Sequence, residues 1–214
     1  MITSFRNYKH TIFAIVFACF AFSVRSQVDT STLKAQIALG INSPSSSGFV
    51  NNFESKSINF PTVNLGVQYM FSRILGAKLD FGFNRFSNLD NTPEFKVNYT
   101  RLNAQLVLNA TNGLGFLPFK TGVFVHAGPG FSFIKPLGNY PENKISYLNV
   151  MAGMEFHYGL SDSMSLYLDG SYIAGFSDDF NPVTDGYGSF NGNMLTITVG
   201  LSLSLTGCYY CGND

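Results

Sequence analysis

Beyond Gln27, apolar and polar residues alternate with a period of two. The clearest run is NMLTITVGLSLSL near the C-terminus. There Leu195, Ile197, Val199, Leu201, Leu203 and Leu205 share one face, opposite Met194, Thr196, Thr198, Gly200, Ser202 and Ser204. Alternation of this kind marks a strand whose two faces meet different surroundings, whereas a helix would repeat at 3.6. The same alternation recurs at residues 33–41, 63–71, 77–84, 101–109, 123–133, 148–157 and 164–172, which predicts eight strands and no helix.

The connections alternate in length. Those at 42–60, 87–96, 135–146 and 175–192 are long and polar, and those near 72–76, 110–117 and 159–163 are shorter. An even strand number with long loops at one end and short turns at the other predicts an all-β fold: an eight-stranded antiparallel transmembrane up-and-down β-barrel with both termini periplasmic. A soluble eight-stranded barrel would alternate too, but its outer face would need many charges. Here the polar face is mostly Gly, Ser, Thr and Asn, which suits a narrow lumen, because eight strands leave an interior just wide enough for side chains.

Composition sharpens this picture. Only 12% of residues are charged, against about 25% in ordinary globular proteins. Aromatics reach 15%, with 22 Phe, 11 Tyr and no Trp, and there are 21 Gly. Residues 1–26 place Arg6 and Lys9 before an apolar run from Thr11 to Phe22, the layout of a signal peptide cleaved before Gln27. A retained membrane helix would need a longer run, and Cys19 in VFAC offers a lipoprotein alternative. Residues 27–206 are then the barrel and 207–214 a short periplasmic tail. Cleavage leaves ten basic residues against thirteen acidic, which argues against a nucleic-acid partner. Cys208 and Cys211 form either a local disulfide or two free thiols; with no nearby histidine they make no zinc site.

VQYMFSRILGAKLDFGFNRFSN, NYTRLNAQLVLNATNGLGF and GVFVHAGPGFSFI resemble the barrel half of the OmpA-like proteins of Bacteroidota, among the small outer-membrane β-barrel proteins. The resemblance covers roughly residues 30–206 and implies location in the cell outer membrane, with barrel-insertion machinery as a partner during biogenesis. Relatives of that kind commonly carry a peptidoglycan-binding domain after the barrel. This chain stops nine residues after Leu205, so no wall-tethering role is expected of it. The last strand in that family tends to end on an aromatic residue, for which Tyr209 or Tyr210 would stand in.

The inward-facing list is Lys34, Lys78, Asp80, Arg101, His126, Glu155, His157 and Asp169. Unpaired buried charge is costly, so these predict a lumen polar network; a gated pathway for small ions is the alternative. A lipid-surface hydrolase would need a nucleophile, base and acid at the outer rim. Both mature histidines face inward, so no enzyme, catalytic residue, cofactor or metal is expected. Asp178, Asp179 and Asp185 do not match a calcium-loop template. Phe180, Tyr187 and Phe190 suggest either an interfacial girdle or a partner-binding surface. In VFVHAGPGFSF, Gly128 and Gly130 are expected to make room for Met151 or Tyr167, and Pro129 to mark a bulge or the end of regular pairing. The expected function is a structural or partner-docking envelope barrel in contact with outer-membrane lipid and outer-membrane proteins. A narrow channel is the alternative, and a secretion-machine subunit or lipid-modifying enzyme follows.

Overall fold

The computed structural model describes residues 32–118, 120–177 and 186–206. Its strands are β1 (Thr32–Pro44), β2 (Asn59–Met70), β3 (Leu75–Ser87), β4 (Lys96–Asn109), β5 (Thr121–Leu137), β6 (Ile145–Gly159), β7 (Met164–Phe176) and β8 (Met194–Ser204). Each pairs antiparallel with the next, and β1 closes on β8, with Lys34 opposite Ser204 and Pro44 opposite Met194. The short turns 71–74 and 160–163 and the connection 110–120 lie at one end. The connections 45–58, 88–95, 138–144 and 177–193, which include the two longest, lie at the other, the long-loop end. The 110–120 connection is longer than 88–95 or 138–144, so loop length alternates less cleanly than the sequence suggested. The signal-peptide segment, Phe180, the three loop aspartates, Cys208, Cys211 and the tail tyrosines lie outside the described residues.

Around the waist the outward residues are apolar on every strand. Ile37, Leu65, Leu79, Leu102, Phe131, Leu148, Leu168 and Val199 are between 38% and 59% exposed. A continuous apolar belt of this size is the signature of a surface that meets lipid rather than water.

The strands run further toward the long connections than the alternation suggested, because polarity inverts there. Phe86, Val97, Tyr99, Ile134, Tyr147, Ile173 and Met194 point inward and are buried. Arg85, Lys96, Asn98 and Lys135 occupy neighbouring outward positions on β3 to β5. Pairing continues through this zone to Ser87 opposite Lys96 and Leu137 opposite Lys96.

The inward apolar residues meet an aromatic cap supplied by the connections. A 3-10 turn at Ser46–Gly48 directs Phe49, Val50 and Phe53 into the mouth. It is tied to the β7–β8 connection by the Asn191 N–H, which donates to the Gly48 carbonyl at 3.0 Å. Phe190 sits at the centre, with ring centroids 4.9 Å from Phe49, 5.1 Å from Phe86 and 6.2 Å from Tyr99. Phe190 is therefore neither girdle nor partner surface: it is fully buried, while Tyr187 stays partly exposed against Phe53. At the opposite end Met70, Val107 and Phe124 form a smaller apolar cluster.

Pro129 behaves differently from expectation. It lies within a continuous β5, paired to Val150 of β6. On the β4 side the Asn103–Gly130 and Leu106–Ala127 pairs keep one register, and only the two positions between them lack pairing. A proline brings no N–H to the ladder, so the sheet loses bonds locally without a bulge. At Gly128 and Gly130 the nearest obstructions lie on β4, ahead of the expected Met151 or Tyr167. A Cβ on Gly128 would lie 2.0 Å from the Ala104 carbonyl oxygen, and one on Gly130 would collide with the Asn103 amide.

Two substitutions separate the interior from the belt. Phe190→Ala should cost about 3–5 kcal/mol by leaving a cavity in the cap. Val199→Arg, at mid-height on the lipid face, should cost about 2–4 kcal/mol. Urea midpoints of vesicle-inserted protein, read by gel mobility because the chain has no Trp, check both.

Candidate functional site

The lumen at mid-height is filled by polar side chains from all eight strands. The structure places Lys34, Lys78, Asp80, Arg101, His126, Glu155, His157 and Asp169 inside the barrel, none more than 4% exposed. Three cations and three carboxylates stand together there, with two histidines bonded to carboxylates.

Glu155 on β6 is the hub. Its Oε1 accepts from Lys78 Nζ of β3 at 2.6 Å, and its Oε2 accepts from Gln36 Nε2 of β1 at 3.0 Å and lies 2.7 Å from His157 Nε2. One carboxylate thus ties strands across the lumen as well as along the wall. Lys78 Nζ also lies 3.8 Å from Asp80. Arg101 on β4 pairs with Asp80, and its guanidinium also donates to Asn64 at 3.1 Å and Asn103 at 3.3 Å. The guanidinium fits because residue 82, opposite Arg101 on β3, is glycine: a Cβ there would lie 2.6 Å from Arg101 Nε. Gly153 does the same for His126, whose Cε1 would be 2.7 Å from an added Cβ.

His126 Nε2 lies 2.8 Å from Asp169, which also accepts from Ser171 Oγ at 2.6 Å. A chain of neutral groups extends the network upward: Asn103 donates to Asn149 at 2.6 Å, Asn149 to Ser132 at 2.8 Å, and Ser132 meets the Tyr99 hydroxyl at 2.7 Å. Toward the short-turn end Lys34 Nζ sits 4.6 Å from the Phe124 ring centroid, and His157 stacks on Tyr167 at 5.1 Å. Sequence reasoning singled out the charged members and left out Gln36, Asn64, Asn103, Asn149, Ser132, Ser165 and Ser171. Their signal was present: each shares the inward parity of its own strand.

Two arrangements resemble reactive sites. Ser165 Oγ lies 2.9 Å from His157 Nδ1, and His157 Nε2 faces Glu155, the connectivity of a serine hydrolase. The crevice beside Ser165, lined by Lys34, Ser163, Met164, Ser202 and Ser204, has no space for even a water-sized sphere. A substrate carbonyl therefore has no position next to the hydroxyl, and Glu155 is shared with Lys78. His126, Glu155 and Asp169 also bring three ligand-type atoms within 4.8 Å. Here the Lys78 ammonium already supplies the positive charge to Glu155, and both Asp169 oxygens are bonded to His126 and Ser171. The positive charge that would hold these acids together is already supplied by Lys78 at Glu155, so the set is accounted for as a buried ion-pair network.

Solved structures share this architecture at very low sequence identity. Neisserial surface protein A has a TM-score of 0.54 at 11% identity, covering 82% of this chain and 97% of that one. OprG of Pseudomonas aeruginosa gives 0.56 at 8% identity, covering 84% and 98%. A major outer membrane protein of Thermus thermophilus gives 0.56 at 12% identity, covering 82% and 99%. At such identities the likeness concerns the fold alone. A comparison with curated protein sequences gives no match. The family model described as outer membrane protein beta-barrel domain matches residues 14–202. With a closed eight-stranded sheet, an apolar waist and that match, the chain belongs to the outer membrane protein beta-barrel domain family and is an outer-membrane protein.

Proposed function

We propose that this protein is a sealed, non-enzymatic structural barrel of the cell envelope, similar in kind to the barrel half of the OmpA-like proteins. The observation that carries this reading is a lumen filled at three successive levels. Phe49, Phe86, Phe95 and Phe190 close the long-loop mouth, the Glu155 network fills the middle, and Met70, Val107 and Phe124 lie below it.

An open pore would require several of these groups to part at once. Separating Lys78 from Glu155 inside a narrow lumen exposes two charges to surroundings that solvate them poorly, which makes the middle level the costliest to open. The cap must also expose its apolar rings to water as the loops lift. Closure at independent levels favours a wall component that lends its loops and outer surface to partners over a conduit for solutes.

Planar-bilayer recording of the purified full chain tests the reading. No steady conductance is expected, and a reproducible open level in unmodified protein would transfer the protein to the channel class. Lys78→Met alone should destabilise the barrel by about 3–5 kcal/mol, because Glu155 loses its cation. Adding Glu155→Met should recover most of that cost, giving a strong positive coupling in a double-mutant cycle of urea midpoints.

A further inference from the structure

The lipid-facing wall carries few charges, and their placement is uneven. Among the described residues, the outward positions of the eight strands hold three charged side chains: Arg85 on β3, Lys96 on β4 and Lys135 on β5. All three are cationic, and all lie at the long-loop end. The register aligns them. Arg85 pairs with Asn98, Asn98 pairs with Lys135, and Lys144 directly precedes Ile145, whose partner Ile134 adjoins Lys135. Lys96 stands two residues above Asn98 on the same strand. With neighbouring strands about 4.8 Å apart, the four cations cover a patch about 15 Å wide.

Their height matters as much as their sign. The next outward row down is Phe83, Thr100 and Phe133, and below it come Phe81, Leu102 and Phe131. The cations therefore occupy the first rows beyond the apolar belt, where the polarity of the wall inverts. In a bilayer that level is the headgroup region, and long basic side chains there lay their alkyl stems on the belt and lift their charge to the interface. Arg85 shows this arrangement, with its guanidinium 5.7 Å from the Phe83 ring centroid and its Nε donating to Asn98 at 2.8 Å.

The lumen cations Lys78 and Arg101 are matched to carboxylates, whereas no ion pair among the described residues involves Arg85, Lys96, Lys135 or Lys144. The remainder of the rim, over β7, β8, β1 and β2, presents Phe176, Leu195, Ser43 and Phe60 as outward or exposed strand residues and no charge on those strands. On the strands themselves the outward charges gather on one arc of the wall, with one sign, immediately above the lipid belt, while the neighbouring acids Glu94 and Glu142 stand beyond them on the connections.

We infer that the outer rim of β3–β6 is a docking surface for the phosphate-bearing headgroup of an outer-leaflet lipid. Arg85 offers a planar fork for phosphate oxygens, and the three lysines supply point charges around it. The acyl chains of the same lipid lie along the apolar rows beneath, so one molecule engages both halves of the patch. The inference uses the membrane orientation of the barrel and does not depend on whether its lumen conducts.

Native mass spectrometry of the folded full chain in detergent, titrated with lipid A bearing phosphate or enzymatically dephosphorylated, provides the test. The phosphorylated form should bind at least tenfold more tightly, since each interfacial cation contributes about a fivefold gain toward an anionic headgroup. The combined variant Arg85→Gln, Lys96→Gln, Lys135→Gln and Lys144→Gln should abolish that preference. Arg73→Gln with Lys120→Gln, on the connections of the opposite rim, should retain it. Equal binding of the two lipids, or a preference that survives the fourfold variant, overturns the inference. Displacement by equimolar inorganic phosphate also overturns it, by revealing a free-anion site. If the fourfold variant lacks the gel shift of folded protein, the paired variants Arg85→Gln/Lys96→Gln and Lys135→Gln/Lys144→Gln carry the measurement, each with a reduced preference expected.

Discussion

In a hydrocarbon layer each backbone N–H and C=O must find its partner within the protein, since no water is there to accept or donate. For this chain the requirement is met by pairing β1 with β8, and the consequences run inward. Eight strands close around a space that side chains can fill. Polar groups pointing into that space are cut off from bulk water and must satisfy one another. Glu155 shows the result: its two oxygens serve Lys78, Gln36 and His157, which come from β3, β1 and β6. The network is thus a product of closure as much as of the residues that form it.

The same strands pass through more than one solvent. At the waist lipid lies outside and the polar lumen inside, so apolar residues face out. Past Phe83 and Phe133 the order reverses, with Arg85 and Lys135 outside and Phe86 and Ile134 inside. That reversal fits a strand emerging from lipid into water, where the interior becomes the only dry place. It also explains the aromatic cap: the connections fold inward because the inverted strand ends supply an apolar surface for Phe49, Phe53, Phe95 and Phe190 to cover.

Strand number, order and the facing of each run were legible in the sequence because a period of two converts directly into two faces. Leu195 through Leu205 needed nothing more. The strand ends were harder to read for a physical reason: alternation continues at Phe86, Tyr99 and Ile134, but its polarity changes sign, so a reading tuned to apolar-out stops short. The ionic residues of the lumen were visible by parity, whereas which of them meet depends on strand stagger. Glu155 reaches Lys78, 77 positions away, and no local pattern encodes that. Phe190 was misread because a loop aromatic between polar residues looks exposed until the surface it covers is known.

The stretch VFVHAGPGFSF tests how much irregularity a closed sheet absorbs. Pro129 removes a donor, and with Ala77, Ala104, Ala127 and Gly128 it lines a shallow recess of about 520 Å³ in the outer wall. Bulging would have shifted every residue of β5 above it to the opposite face, driving Ser132 into lipid and Phe133 into the lumen. Regular pairing with β6 on one side, and with β4 above and below the gap, holds the register instead. The loss stays confined to two positions, and the small residues around it let the strands approach closely. His126, three residues before the proline, keeps its inward direction and its bond to Asp169 because the register survives.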